Sequence, residues 1–173
     1  MIITKTQRLE LKPMADGDRD AVVEILKDDV VKKTYMVPDI DSEELADQLF
    51  RRLRDLSQSP EHYTAGIYRG GDLIGFINDV EIEGGRVELG YALHPRCFGQ
   101  GYATEAFRAA VEALLGQGIQ EVCAGAFEEN AASFRVMEKA GLSRTRREED
   151  IAYRGKTHHC VYYSISGSDA FIS

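Results

Sequence analysis

The stretch Val87 to Leu115, VELGYALHPRCFGQGYATEAFRAAVEALL, limits the fold of this chain more than any other. It reads as a strand, a glycine-rich loop and an amphipathic helix. Ala103, Ala106, Phe107, Ala110, Val111, Leu114 and Leu115 recur at steps of three and four and draw one apolar stripe, leaving Glu105, Arg108 and Glu112 on the wet face. Gly116 and Gly118 end the helix and Glu121 to Phe127 supplies another strand, so the pattern predicts a crossover between two parallel strands. Gly99, Gly101 and the small Ala103 keep side chains off the loop. Successive backbone N–H groups can then close on an anion at the positive end of the helix, and a phosphate site is expected there.

A dinucleotide-binding fold is the rival reading of these glycines, since Glu128 or Glu129 lies about 20 or more residues on, where a ribose-binding acid is expected. Two features oppose it. His94 to Phe98 separate the strand from the glycines, and Thr104 stands at the third glycine position.

The remaining elements follow from pattern. Arg8 to Met14 alternates as a first strand stopped by Pro13, and Asp16 or Asp18 caps a short helix that turns Ala21, Val22, Ile25 and Leu26 inward. Asp28 to Ile40 is irregular. Asp41 with Glu44 forms a capping-box-like start for a helix bearing Leu45, Leu49, Leu53 and Leu56, with Arg51, Arg52 and Arg54 on its far side, where they hold phosphate or face solvent. Hairpins at Gly70-Gly71 and Gly84-Gly85 join strands near Tyr63 to Tyr68, Leu73 to Ile82 and Val87 to Leu93. Asn130 opens a helix burying Phe134, Met137 and Ala140 and ended by Gly141; Ser143 to Tyr153 and Lys156 to Ser166 form a last hairpin. Antiparallel strands leading into a parallel crossover give an α+β chain with a mixed central sheet flanked by helices, which a doubly wound dinucleotide fold would not give.

At 173 residues the chain suits one domain, over 1–166, with a short tail at 167–173. The net charge of −8 disfavours nucleic acid or an anionic membrane as partner and is compatible with a cationic acceptor. Cys97, Cys123 and Cys160 are odd in number and lack C-x-x-C spacing, so neither a disulfide framework nor a metal site is expected. No apolar run has the roughly 18 residues of a membrane span. The opening MIITKTQRLE lacks a signal-peptide core, so the expected compartment is the cytoplasm.

TQRLELKP, ELGYALHP in the fourth predicted strand, GQGYATEA and ENAASFRVMEKAGL occur in an order and spacing that resemble the GNAT superfamily of acetyl-CoA-dependent N-acetyltransferases, in the branch related to the ribosomal-protein N-terminal acetyltransferases RimJ and RimL. The resemblance implies the GNAT acyl-CoA N-acyltransferase fold, acetyl-CoA as acetyl donor, no metal, and direct transfer to an amine. A protein or peptide N-terminus is the expected acceptor, with a polyamine, amino sugar or antibiotic as the small-molecule alternative. A catalytically silent acyl-CoA-binding module remains the alternative of another class. A homodimer is compatible with all of these, although no patch demands one.

The resemblance assigns the phosphate loop to Phe98, Gly99, Gln100, Gly101, Tyr102, Ala103 and Thr104. The family pattern opens with Gln or Arg, and the register ending at Ala103 departs from it by placing Phe98 there; Arg96, Gly99 and Gly101 satisfy the pattern in a shifted register. Gly90-Tyr91-Ala92-Leu93 is expected to turn backbone N–H groups toward the thioester carbonyl, with Tyr91 and Leu93 otherwise packing. Glu88 is the candidate base, or else a polar residue on a half-exposed sheet face. Asn130 is expected on the pantetheine arm or as a helix cap, and Ser133 near the sulfur as proton donor, since Met137 stands where many other branches place a tyrosine. Tyr35, Met36 and Pro38 lie in the segment that flanks the acceptor pocket in the family, where ordinary loop packing explains them equally well. His94 reads as a turn residue and Arg135 and Lys139 as surface charge. Cys97 has nothing to activate it, and the adjacent His158 and His159 point to opposite faces, unlike a metal pair.

Overall fold

In the computed structural model, which describes residues 3–168, one eight-stranded sheet organises the chain. In chain order the elements are β1 (Thr4–Lys5), β2 (Glu10–Lys12), α1 (Arg19–Lys27), α2 (Glu43–Gln58), β3 (Thr64–Arg69), β4 (Asp72–Glu83), β5 (Arg86–Leu93), α3 (Tyr102–Gly116), β6 (Glu121–Phe127), α4 (Ala131–Lys139), β7 (Ser143–Tyr153) and β8 (Lys156–Ser166). In space the strands run β1-β2-β3-β4-β5-β6-β8-β7, and the β5–β6 pair alone is parallel. This is the expected mixed sheet. The short β1 makes the strand carrying ELGYAL the fifth rather than the fourth.

Strand alternation sorts the core into two layers. Val87, Leu89 and Leu93 of β5 bury with Ala106, Phe107, Ala110 and Met137 beneath α3 and α4. Ala92 of the same strand buries with Val22, Ile25, Ala46 and Phe50 beneath α1 and α2. Each large residue removed from water on either face contributes about 1.5–3 kcal/mol.

Several sequence expectations are corrected. Asp18 does not cap α1 through its side chain; its Oδ2 accepts from the Ala15 N–H at 2.7 Å and the Tyr68 hydroxyl at 2.6 Å. Ser42, not Asp41, caps α2, its hydroxyl accepting from the Leu45 N–H at 3.2 Å. The leucines of α2 are only half-buried, and the helix buries Ala46, Phe50 and Ser57 instead. Glu105, read as a wet residue, is tied down by Thr6 and Arg8. Gly167 donates its N–H to the Gln120 carbonyl at 2.9 Å; of the expected tail, residues 169–173 lie outside the described residues.

Two distortions shape the site. Pairing of β5 with β6 runs from Arg86↔Glu121 to Glu88↔Cys123 and stops, so the two strands splay beyond it. In β7 the register slips between Arg144 and Glu148, and this bulge throws Arg147 across the sheet, its guanidinium 3.8 Å from the centre of the Tyr162 ring.

Candidate active site

The phosphate-loop expectation rests on free amides. A short 3-10 turn over Pro95–Cys97 uses the Phe98 N–H, which donates to the Pro95 carbonyl at 3.0 Å. Beyond it the N–H groups of Gly99 to Thr104 have no acceptor among the described residues. Phe98 therefore contributes a side chain, 48% exposed, and the amides begin at Gly99. Gly101 takes φ +82° as the residue before α3, a conformation that costs an L side chain roughly 1–2 kcal/mol, and an added Cβ would meet Arg8 Nη2 at 3.2 Å.

Arg8 and Glu105 are positioning residues missed by sequence reasoning, although Arg8 sits inside the TQRLELKP motif. Glu105 Oε1 accepts from the Thr6 hydroxyl (2.6 Å) and the Arg8 N–H (2.8 Å), and its Oε2 from Arg8 Nε (2.7 Å). Arg8 Nη1 also donates to the Gln100 carbonyl at 2.9 Å, bracing the loop from behind. Burial pushes the Glu105 carboxyl up, but these donors outweigh it and hold the group below its ordinary range.

The loop opens onto a cavity of about 550 Å³ on the α3 side. Tyr91, Ala92, Leu93, Phe98, Gly99, Gly101, Tyr102, Ala103, Thr104, Asn130 and Ser133 all line it. Gln100 does not: its Nε2 donates back to the Arg96 carbonyl at 3.1 Å. The His94 N–H donates to Ile74 on β4, so by alternation the amides of Leu93, Tyr91 and Leu89 face the opposite, splayed edge of β5. Arg135 and Lys139, read as surface charge, also border this cavity.

At the mouth of α4, Asn130 Oδ1 accepts from the Ser133 N–H at 3.2 Å and its Nδ2 donates to Ser133 Oγ at 2.8 Å, so Asn130 caps the helix as it orients the serine. The Tyr91 hydroxyl lies 3.1 Å from the same oxygen. Tyr91 packs edge-on against Phe107, as expected, yet its phenol also reaches the serine. Burial pushes that phenol up and the contact with Ser133 pulls it partly back, so it is protonated at neutral pH.

A second cavity of about 410 Å³ lies on the α2 side. Its walls include Tyr35, Met36, Leu49, Leu53, Phe127 and Ile151, so the half-buried leucines of α2 face a space rather than a core. The segment from Lys32 to Asp39 is pinned over it from the far hairpin: the Tyr153 hydroxyl donates to the Lys32 carbonyl (2.7 Å), and Arg154 reaches the Val37 carbonyl (3.2 Å) and the Asp39 carboxylate (2.8 Å). The Tyr162 ring lies over Gly125, where an added Cβ would meet it at 2.7 Å.

Two carboxylates border this second cavity. Glu88, 9% exposed, accepts from Arg147 Nη1 through Oε2 at 2.9 Å, leaving Oε1 without a partner among the described residues. Asp79 is held by His62 (2.7 Å), the Tyr63 N–H (3.0 Å) and the Thr64 hydroxyl (3.2 Å). The cavities share Thr34, Tyr35, Leu89, Gly90 and Gly125, and so abut where β5 and β6 part.

The other candidates are engaged elsewhere. His94 approaches Glu24, His158 stacks on Phe127 and meets Glu129, and His159 meets Asp150. The described residues contain no cluster of His, Cys, Asp and Glu able to hold a metal, and no helix among them is long and apolar enough to cross a membrane. Cys97 is buried.

A sheet splayed between a cradle of amides and a second, acid-bordered cavity defines an acyl-transfer scaffold. The family model of the acetyltransferase (GNAT) domain matches residues 8–143, and the chain belongs to the GNAT acetyltransferase family. The uncharacterized N-acetyltransferase YoaA of Bacillus subtilis (strain 168) is 28% identical over 169 residues, 94% of this chain and 96% of that protein. Among solved structures, a GNAT-family acetyltransferase from Bacillus anthracis superposes with a TM-score of 0.82 at 24% identity over 96% of this chain and 99% of that one. RimL, the ribosomal L7/L12 α-N-protein acetyltransferase in complex with coenzyme A, gives 0.85 at 18% identity over 95% and 98%. Spermidine N-acetyltransferase from Vibrio cholerae, in complex with CoA and spermine, gives 0.81 at 15% identity over 95% and 98%.

Proposed function

We propose that this acetyltransferase binds acetyl-CoA on the α3 side and moves its acetyl group directly to a primary amine entering from the α2 side, with a protein or peptide N-terminus as the first acceptor to try. The meeting of the two cavities at Leu89, Gly90 and Gly125 carries this reading, because it gives donor and acceptor opposite faces of one gap in the sheet. The residues present fit coenzyme A. The unpaired amides of Gly99 to Thr104 receive its pyrophosphate, Arg135 and Lys139 border the same cavity as cations for further phosphate, and the splay admits an extended pantetheine arm.

When bound, the thioester supplies an acetyl group already activated for attack. Glu88, anchored through Oε2 by Arg147, presents Oε1 to the acceptor and takes its proton. The N–H groups on the splayed edge of β5 face the developing oxyanion. Ser133, oriented by Asn130 and backed by the Tyr91 phenol, donates toward the departing sulfur. The gap between β5 and β6 positions the reactants against each other, which supplies much of the rate.

Acetyl-CoA-dependent thiol release tests this reading against N-terminal peptides, polyamines, aminoglycosides and amino acids, with hydrolysis subtracted. Amine-dependent release with an acetylated acceptor in the mass spectrum is the expected result. Tight acetyl-CoA binding with no amine-dependent release from any class would favour a silent acyl-CoA-binding module.

A further inference from the structure

The arginines of α2 differ in their surroundings. Arg51 pairs with Asp47 at 3.5 Å, and Arg54 pairs with Asp16 and with Asp55, the latter at 2.9 Å. Arg52 lies between them, has no ion pair or hydrogen bond among the described residues, and borders the α2-side cavity as its one cationic side chain. Sequence periodicity put it on the far side of the helix, but the space it faces lies against that helix. It acts electrostatically on the Tyr35 hydroxyl, and the Tyr35 ring comes within 3.9 Å of where a Cβ on Gly90 would stand. A guanidinium with unused donors therefore borders the same cavity as the Glu88 carboxylate, on the side of Tyr35.

The carboxylates of the same cavity are already occupied. Asp79 accepts three hydrogen bonds and one oxygen of Glu88 is held by Arg147, leaving a single carboxylate oxygen, Glu88 Oε1, without a partner among the described residues. One amine is satisfied there. A second cation on the same molecule would meet Arg52 rather than an acid, and like charges at that range oppose each other. Leu49, Leu53, Phe127 and Ile151 add apolar surface to the same cavity.

We propose that the acceptor is an amine that also carries an anionic group, with Arg52 binding the anion while the amine reaches Glu88 and an apolar body fills the space between them. The inference rests on the acceptor reading of this cavity given above. Two sources share the chemistry: the carboxylate of a free apolar amino acid, or an acidic side chain next to a peptide N-terminus. The chain's overall charge of −8 points the other way, toward cations, but it describes the whole surface and not this space.

Matched compounds separate these possibilities. Phenylalanine and phenethylamine share amine and ring and differ in the carboxylate; Ala-Glu-Ala-amide and Ala-Gln-Ala-amide differ in one acidic side chain; spermidine is the polycation. Each is titrated calorimetrically into the full chain saturated with CoA, and each is run for thiol release with acetyl-CoA. In at least one pair the anionic member is expected to bind about tenfold or more tightly than its neutral partner, as a charge-assisted contact gives, and that pair identifies the source. The ratio falls toward one in Arg52→Gln, is partly kept in Arg52→Lys and persists in Arg51→Gln. Equal binding within both pairs, preference for spermidine, binding of none of the five, or a ratio unmoved by Arg52→Gln would overturn the inference. Preferential binding without turnover would strike the transfer reading alone, and turnover without preference would strike this inference alone.

Discussion

The two cavities are built from different materials. The α3-side cavity draws mainly on two runs of chain, Leu89 to Thr104 and Asn130 to Lys139, and its floor is backbone: free N–H groups, positive-φ glycines and a helix start. The α2-side cavity is assembled from side chains of separate segments, the irregular stretch after α1, the leucines of α2, the middle of β4 and the ends of β6, β7 and β8. Backbone sites tolerate exchange of most side chains provided the chain can take its path. Side-chain sites are set residue by residue. A common donor and a variable acceptor map naturally onto this difference, and each substitution below is expected to disturb one cavity and spare the other.

The largest effect is expected from Gly101→Val. A β-branched residue at φ +82° beside Arg8 must distort the loop. Acetyl-CoA affinity is expected to fall by about 10–100-fold by calorimetry, with the acceptor preference of the residual activity unchanged. Glu88→Gln is expected to lower kcat by about a hundredfold at little change in acetyl-CoA affinity if Glu88 is the proton acceptor proposed above. Unaltered turnover would return Glu88 to a structural ion pair with Arg147.

Ser133→Ala and Tyr91→Phe are each expected to lower kcat by about tenfold with little effect on KM, and together by much less than the product, since the two hydroxyls are in contact and are proposed to serve one proton transfer. An acetyl thioester with a more acidic thiol should recover much of the loss. Failure of that donor to rescue either variant would assign the pair to packing. Leu53→Ala, on the wall of the α2-side cavity, is expected to raise the acceptor KM severalfold and leave acetyl-CoA affinity alone. Its cost in stability is expected to lie well below the roughly 3–5 kcal/mol of Phe50→Ala, because Leu53 is only half-buried.

The smallest effect concerns the brace behind the loop. The folded-state pKa of Glu105 is depressed, so its contribution to stability is present above its unfolded value of about 4.3 and is lost as pH falls through the lower folded value. Glu105→Gln is expected to cost about 1 kcal/mol at neutral pH in denaturant titrations, with the gap to the parent chain closing below about pH 4.

The same contrast explains what could be read in the sequence. The strand, glycine loop and α3 were legible because their chemistry is local: a stripe at helical spacing, glycines before it and a crossover after it. The cofactor-side residues lay in motifs whose order and spacing carry the resemblance, and only Gln100 turns away from the cavity. On the other face, periodicity identified the apolar side of α2 but not what it meets. Leu45, Leu49, Leu53 and Leu56 were legible as one stripe, with no sign that Leu49, Leu53 and Leu56 line a cavity, and Arg52 was assigned to the far side. Arg147 gave no signal of its own, since it reaches Glu88 only through a bulge in β7 that opposes Thr145 to Arg147 with too few residues of β8. The Tyr91 hydroxyl was missed for a similar reason, because its contact with Ser133 spans 42 residues and two elements.

The most direct measurement is a crystal structure of the chain with CoA and an amine acceptor bound together. The account predicts the pyrophosphate on the amides of Gly99 to Thr104, the thiol in the gap between β5 and β6 near Ser133, and the amine on the α2 side within hydrogen-bonding distance of Glu88 Oε1. CoA outside the α3-side cavity, or an acceptor approaching from the same face as CoA, would contradict it.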